Sequence, residues 1–176
     1  MMMQVYMPTS EHEVDEAEEL YDIIEEILEE DLKGDTNTII LGDWNSVVGD
    51  ESHRNIVGPH GLGRKKHRGQ MLISVCERNG LIFTNTWFRK PKRILYTWKA
   101  PGDRSRKQLD YILVKHRFRN SVQDVKTLPG AGIDSDHNLL VVKICTRLKK
   151  IIRFQKGIPQ VHWRNYMLND KECRIT

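Results

Sequence analysis

Asp43 and Asn45 belong to the sequence Gly-Asp-Trp-Asn at residues 42–45, directly after the apolar run at residues 38–41. Residues two apart in an extended chain point to the same face, so we predict that these two side chains act together. The carboxylate can orient or deprotonate a water, and the amide can donate hydrogen bonds to a phosphoryl oxygen as charge builds there. The pair therefore suits phosphodiester hydrolysis. A simple Asp and Asn turn after a strand is the alternative, and for so short a motif it is the commoner case.

A second candidate pair is formed by Asp136 and His137, which are adjacent in the chain. Asp136 offers a hard oxygen ligand, and a histidine held by a carboxylate can act as a base or as a charged hydrogen-bond donor to phosphate. Asp110 is the candidate for that carboxylate, because it begins an apolar strand in which a lone acid would otherwise be unfavourable. A surface Asp-His pair in a loop before the next strand remains the alternative.

Two aromatic residues could contact a substrate. Tyr6 stands just before Met7-Pro8, where the chain turns away quickly, so its hydroxyl could reach a phosphate. It could equally be a half-buried tyrosine of a strand. Trp98 closes a predicted strand next to Thr97 and could wedge against a base or sugar. A tryptophan in the core is the alternative.

Three basic clusters lie in predicted loops between these motifs, at residues 64–68, 89–93 and 104–107. If the loops share one rim, they would bind the phosphates of DNA with salt-sensitive affinity that depends little on sequence. The alternative is that these side chains only keep the surface soluble. The bases that we expect to contact nucleic acid are Arg64, Lys65, Arg93, Arg104 and Arg106.

The elements that must position these residues alternate between helix and strand. Apolar residues at three- and four-residue spacing predict a helix that begins at a capping box at Ser10 and ends at Gly34. The order of elements predicts a mixed α/β domain in which helices cover one face of a largely antiparallel sheet. A further helix is predicted at 70–78, a long loop at 49–69, and strands at 38–41, 81–85, 94–98, 109–114, 122–128 and 139–148.

The charge of the chain is divided unevenly. The net charge is +4, yet residues 11–35 hold thirteen acids and one lysine, which leaves 27 bases against 11 acids elsewhere. A surplus of that size favours a polyanionic partner, with nucleic acid the first candidate.

Length and composition exclude several classes of protein. A chain of 176 residues has room for one domain, and its apolar runs are too short to cross a membrane. Three widely spaced cysteines match neither a disulfide framework nor a zinc site, which favours an intracellular protein. The basic clusters are compatible with a nuclear location.

In order along the chain, the motifs Y-x-P, G-D-x-N, T-W, a strand containing D-Y, and S-D-H resemble the endonuclease/exonuclease/phosphatase superfamily. The resemblance covers residues 4 to about 150 and is strongest to the endonuclease domains of non-LTR retrotransposons and proteins derived from them. It implies a deoxyribonuclease-type four-layered α/β/β/α sandwich and hydrolysis of DNA that depends on Mg²⁺ or Mn²⁺. We expect a partial domain of this type at residues 1–148 and a basic tail at 149–176.

The resemblance also implies roles for single residues. Tyr6 would contact the phosphate, Asp43 would align the attacking water, and Asn45 would support the transition state. Asp110 would pair with His137, which would contact the scissile phosphate.

The remaining motifs of the family concern DNA and metal. Thr97 and Trp98 would line the DNA-facing surface, and Asp136 would contribute to metal binding. In the family, a region before Y-x-P supplies an Asn and the main carboxylate ligand of Mg²⁺, and here five residues precede Tyr6. The resemblance therefore implies a domain that lacks its N-terminal strands, with weakened metal binding and impaired catalysis. A non-catalytic nucleic-acid-binding protein is the alternative.

Overall fold

The structure, a computed structural model, describes residues 1–9, 14–31, 37–131 and 135–146. The predicted helix start at Ser10, the helix end at Gly34 and the predicted tail at 149–176 lie outside these residues. The described residues contain two α-helices and eight strands. They are α1 (Val14–Asp31), α2 (His67–Arg78), β1 (Met2–Tyr6), β2 (Ile39–Asp43), β3 (Leu81–Phe83), β4 (Trp98–Lys99), β5 (Arg106–Lys107), β6 (Asp110–Lys115), β7 (Val122–Leu128) and β8 (Leu139–Ile144).

Four strands form the central sheet, in the order β1-β2-β6-β3. β1 and β2 are parallel, and the other two pairs are antiparallel. Because parallel neighbours need a crossover connection, α1 joins β1 to β2. Five consecutive residues of β6 are buried, as expected for a strand that is covered on both faces.

Both described helices cover the same face of this sheet, as the sequence predicts. α1 buries Ala17, Tyr21, Ile24 and Leu28, which repeat at three- and four-residue spacing and so share one side of the helix. α2 buries an equivalent stripe in the same cluster. The sheet residues that meet these helices are Ile40, Leu81, Phe83, Tyr111 and Leu113.

The opposite face of the central sheet packs against a two-stranded antiparallel sheet made of β7 and β8. Val122 and Val125 of β7 are buried there with Ile82, Ile112 and Val114. The described residues thus stack as helices, central sheet and smaller sheet, which makes the chain a mixed α/β protein with two packed sheets. Neither described helix is long and apolar enough to span a membrane.

The structure differs from the predicted elements at three places. The predicted strand at 94–98 is mostly irregular: a 3-10 turn at Lys92–Ile94 follows Pro91, and pairing begins only at Trp98. β3 stops at Phe83, because Thr84–Thr86 turn into a 3-10 helix. α2 starts at His67, three residues earlier than predicted, since the preceding residue is extended and marks the helix start.

Candidate catalytic site

Three predicted site residues lie side by side at one end of the central sheet. Tyr6 of β1 is paired with Asp43 of β2, and Asp43 is paired with Asp110 of β6. Paired residues on neighbouring strands place their side chains on the same face, so the three form a row across three strands. These three residues line a cavity of about 440 Å³, and His137 also lines it. The rest of its lining includes the apolar residues Val5, Leu41, Ile112, Leu140 and Val142.

His137 joins this row from the segment that precedes β8. Its Nδ1 lies 3.0 Å from Oδ2 of Asp110, and its Nε2 lies 3.7 Å from Oδ2 of Asp43. The Asp110 carboxylate can only accept, so Nδ1 carries a proton and donates it in this contact. The imidazole therefore lies between two carboxylates, with Nε2 turned toward Asp43.

The surroundings of Asp110 raise the pKa of its carboxyl group. Burial raises the pKa of Asp110 above its ordinary value, and the nearby negative charge of Asp43 also raises it. A hydrogen bond from Thr97 and a positive charge on His137 act in the opposite direction. A cation near the two carboxylates would relieve their mutual repulsion.

Asn45 serves both as the turn residue and as a partner of Asp43. Its φ of 45° is left-handed, and its backbone N–H donates to Oδ1 of Asp43 at 2.9 Å. The side-chain amide donates to the carbonyl of Met7 at 2.8 Å and to Oδ2 of Asp43 at 3.3 Å. Both amide hydrogens are thus engaged inside the protein. In this arrangement the amide orients Asp43, and contact with a phosphoryl oxygen would replace one of these bonds.

Thr97 does not lie on a DNA-facing surface, which corrects the expectation from the sequence. Its exposed fraction is 0%. Its hydroxyl oxygen accepts hydrogen bonds from the backbone N–H groups of Leu109 and Asp110, at 2.9 and 3.0 Å. The side chain turns inward because these two N–H groups would otherwise be buried without a partner.

Trp98 is partly exposed, and its indole N–H donates to Oδ2 of Asp136 at 2.6 Å. The ammonium of Lys107 lies 4.8 Å from the centre of the Trp98 ring. Asp136 is exposed and stands outside the group of side chains that could share an ion. Its carboxylate therefore holds the tryptophan in this structure, and metal binding by Asp136 stays a prediction.

Contact between nucleic acid and the five bases singled out from the sequence stays a prediction. Arg64 and Lys65 line a separate cavity of about 500 Å³ together with Asp50 and Glu51. Arg106 is paired with Asp103. Arg93 and Arg104 are exposed.

A different set of bases surrounds Asn45. Lys66, His67, Arg68 and Lys107 line a cavity of about 370 Å³ with it. The sequence had marked the cluster at 64–68 as a whole, but it could not tell which members face the site. The positions of α2 and β5 decide this, because α2 begins and β5 ends beside Asn45.

The donor set suits a hard divalent cation. Ligand atoms of Asp43, Asp110 and His137 lie within 4.8 Å of one another, and they are the one such group among the described residues. Mg²⁺ is commonly held by one or two carboxylates together with water molecules, and Mn²⁺ accepts similar ligands. The two carboxylates fit that pattern.

Asn85 is a site-supporting residue that sequence reasoning missed. Its amide donates to the carbonyl of Asp110 at 2.9 Å and accepts from the N–H of Ile112 at 3.2 Å. It is 5% exposed, so it holds the start of β6 from inside the protein. No sequence pattern points to this contact, because an Asn at the end of a strand is common in turns.

The sequence profile of the Endonuclease/Exonuclease/phosphatase family matches residues 5–137. Among curated proteins, craniofacial development protein 2 of Bos taurus is 44% identical over 150 residues, which cover 85% of this chain and 25% of that protein. The same protein of Tragulus javanicus is 43% identical, with coverage of 85% and 26%. The chain thus spans about a quarter of the length of these relatives.

Two solved structures share the fold at low sequence identity. The endonuclease domain of TRAS1, a telomere-specific non-LTR retrotransposon, has a TM-score of 0.53 at 19% identity, with 76% of this chain and 52% of that chain covered. The 3′ phosphatase NExo from Neisseria, bound to a product DNA hairpin, has a TM-score of 0.58 at 17% identity, with coverage of 81% and 60%.

Proposed function

Because the chain belongs to the endonuclease/exonuclease/phosphatase family, we propose that it carries the site of a divalent-metal-dependent enzyme that hydrolyses phosphodiester bonds in DNA. The observation that carries the proposal is the convergence of Asp43, Asp110 and His137. These residues come from two strands and a loop that are distant in sequence, yet their polar atoms meet at the end of one cavity. If these three residues only stabilised the fold as an ion pair, they would not need to face a cavity open to a ligand.

Each residue has a role that follows from its position. Asp43 faces the cavity and aligns the attacking water, while Asn45 keeps the Asp43 carboxylate in one orientation. Asp110 fixes the His137 ring through Nδ1, so that Nε2 faces the phosphoryl oxygen and donates to it when the imidazole is cationic. Tyr6, which belongs to the same row as Asp43 and Asp110, is 72% exposed, and its hydroxyl would contact the neighbouring phosphate.

A metal ion would be held by the carboxylates of Asp43 and Asp110. When bound, Mg²⁺ or Mn²⁺ supplies a positive charge that stabilises the developing charge on the phosphoryl oxygens. Burial is the main reason for the raised pKa of Asp110, and a cation between the two carboxylates would offset the smaller contribution of Asp43.

DNA is the proposed substrate because of the bases around Asn45 and Trp98. Lys66, Arg68 and Lys107 line the cavity beside Asn45, and we assign them to the phosphates that flank the scissile bond. A solved structure with the same fold is bound to a DNA hairpin. A small phosphorylated molecule would not need a group of bases outside the cavity that holds Asp43 and Asp110.

The test is a plasmid-nicking assay with Mg²⁺ or Mn²⁺, with and without a chelator. We expect chelator-sensitive nicking that falls by at least about 100-fold in Asp43→Ala, because an aligned water and its base are lost. Asp22→Ala, on the exposed side of α1, is the matched control and should keep wild-type activity.

Nicking that survives Asp43→Ala would contradict the proposal. Well-folded protein that binds DNA but never nicks it, with either metal, would also contradict it. That second result would support a non-catalytic nucleic-acid-binding function on the same scaffold.

A further inference from the structure

The cavity of about 370 Å³ beside Asn45, hereafter the α2 cavity, differs in charge from the other two cavities described above. Its lining includes four bases and no acid, the bases being Lys66, His67, Arg68 and Lys107. Each of the other two cavities is lined by two acids. The charge of the α2 cavity therefore favours an anionic ligand.

The N-terminal end of α2 lies at this cavity and has no side-chain cap. Lys66 is the N-cap residue, and its side chain makes no capping hydrogen bond. The first turn contains no acid, although acids are favoured at this end of a helix because the backbone dipoles make it positive. Within the described part of the chain, no acceptor meets the backbone N–H of His67. Lys66 and Arg68 add two cations to this end, and a bound anion would stabilise that arrangement.

The side chain of Ser46 gives an independent indication of a ligand. Ser46 lines the α2 cavity and is 2% exposed. The hydroxyl of Tyr21 lies nearby, but among the described residues no group lies within hydrogen-bond geometry of the buried Ser46 Oγ. A buried hydroxyl without a partner lowers the stability of the folded protein. An anion bound in the cavity would supply the acceptor for this hydroxyl.

Two contacts hold Ser46 against the start of α2. The backbone N–H of Lys66 donates to the carbonyl of Val47 at 3.1 Å. Gly69 lies so close to the same carbonyl that a Cβ atom at this position would approach its oxygen to 1.9 Å. The unpartnered serine and the uncapped helix end are therefore adjacent parts of one cavity wall.

The lysines of the α2 cavity come from two different elements. Lys66 precedes α2, and Lys107 belongs to β5, where its ammonium lies 4.8 Å from the centre of the Trp98 ring. Neither lysine forms a salt bridge with an acid of the described residues. Arg68 also donates to the carbonyl of Pro8 at 2.6 Å. Lys66 and Lys107 are thus the cations that can turn to a ligand.

We propose that the α2 cavity binds one phosphate group of a DNA strand, held by the N-terminal N–H groups of α2, the Ser46 hydroxyl and the two lysines. A phosphate group has several acceptor oxygens, so it can accept from all of these donors at once. Asn45 lines this cavity, whereas Asp43, two residues earlier, lines the catalytic one, so the bound phosphate is a neighbour of the scissile one. DNA as the source of the phosphate rests on the proposed function, whereas binding of a phosphate group does not.

The first test is a titration of the ¹⁵N-labelled full chain with inorganic phosphate, without metal, followed by NMR. Chloride at the same ionic strength is the reference anion. We expect the backbone amide signals of His67 and Gly69 to shift saturably with phosphate but not with chloride, because phosphate accepts from the N–H groups of the first helical turn. Shifts that do not saturate, or that occur only at other residues, would overturn the proposal.

Two variants remove single contacts from the α2 cavity. We expect Ser46→Ala and Lys66→Met each to weaken phosphate binding by about 5- to 10-fold, through loss of a charge-assisted hydrogen bond. Lys126→Met removes the same charge from an exposed position of β7 and should leave the Kd for phosphate unchanged. An unchanged Kd in Ser46→Ala or in Lys66→Met would contradict the assigned contacts.

Thermal unfolding without phosphate separates a ligand-binding role of Ser46 from a structural role. Ser46→Ala should unfold at the same temperature as wild type or at a higher one, because alanine leaves no buried hydroxyl without a partner. Added phosphate should raise the Tm of wild type more than that of Ser46→Ala. A lower Tm for Ser46→Ala without phosphate would show that the hydroxyl has a partner within the fold, and the proposal would fail.

A short DNA duplex in metal-free buffer tests the source of the phosphate group. Saturating duplex should shift the same amide signals and displace inorganic phosphate. Phosphate that stays bound when duplex saturates the protein would rule out DNA as the source. If the protein nicks DNA, Ser46→Ala should raise KM about 5- to 10-fold with kcat unchanged, since this contact is the same in the ground state and the transition state. A protein that binds phosphate and duplex in the α2 cavity but never nicks DNA would contradict the nuclease function alone.

Discussion

At the scale of single residues, Asn45 shows how a turn residue becomes part of a site. Its left-handed φ of 45° suits asparagine better than most side chains. The same conformation brings its amide between Met7 and Asp43. Asn45 thus adopts a left-handed backbone conformation and also donates hydrogen bonds through its amide. Two different substitutions are needed to measure these contributions separately.

Asn45→Gly removes the amide while keeping the backbone relaxed, and Asn45→Ala removes the amide and adds strain. We expect Asn45→Gly to cost about 1–2 kcal/mol of unfolding free energy for the lost hydrogen bonds, and Asn45→Ala to cost about 1 kcal/mol more for a left-handed alanine. Urea denaturation measures both. Asn55, exposed with a φ of 59°, is the control: Asn55→Ala should show the strain alone. Equal losses for Asn45→Gly and Asn55→Gly would contradict an anchoring role for the amide.

At the scale of elements, α2 is held by a buried stripe that includes Leu72, Ile73 and Cys76, all 0% exposed. The helix begins at His67, after the extended Lys66. That start sets His67 and Arg68 beside Asn45. The helix thus links the hydrophobic core to the basic side of the site.

The reactivity of Cys76 reports on this packing. Burial raises the pKa of the Cys76 thiol well above its ordinary value, so at pH 8 the thiolate fraction is smaller than for a free thiol. We expect iodoacetamide to modify exposed Cys145 at least about 100 times faster than Cys76 in the folded protein. Peptide mass spectrometry measures the two rates. In urea, both cysteines should react alike. Rapid labelling of Cys76 without denaturant would show that α2 is not packed as described.

At the scale of the whole molecule, acidic and basic charge are segregated. α1 carries acids along its exposed side and has no base in its last turn. The bases around Asn45 belong to α2 and β5. Separation of this kind keeps the net charge low while leaving one part of the surface strongly positive.

Binding of DNA should therefore depend on salt through particular lysines. Lys107→Met keeps the aliphatic stem over Trp98 but removes the charge, and we expect the slope of log Kd against log salt to fall by about 1. Lys126→Met, on an exposed position of β7, is the control and should leave the slope unchanged. Fluorescence anisotropy with a short duplex measures both. Equal slopes for wild type and Lys107→Met would show that this charge does not meet a phosphate.

The sequence by itself determined the class of fold and most of the elements. Periodic apolar residues located α1, β2, β6 and β7 to within a few residues, because periodicity reports which side of an element is buried. The motif order also identified the family, and it selected Asp43, Asp110 and His137 before their proximity was known. The positions of helices and strands depend on nearby residues, and the family motifs are short stretches of sequence, so both can be recognised without the tertiary structure.

Only the tertiary structure decided where the hydrogen bonds go. It turned Thr97 inward, engaged both amide hydrogens of Asn45, and set Asp136 against Trp98. It also chose Lys66, His67 and Arg68, rather than Arg64 and Lys65, as neighbours of Asn45. The physical reason is that a polar side chain is held by whichever donor or acceptor the strand register brings within about 3 Å, and register depends on pairing between segments that are far apart in the chain.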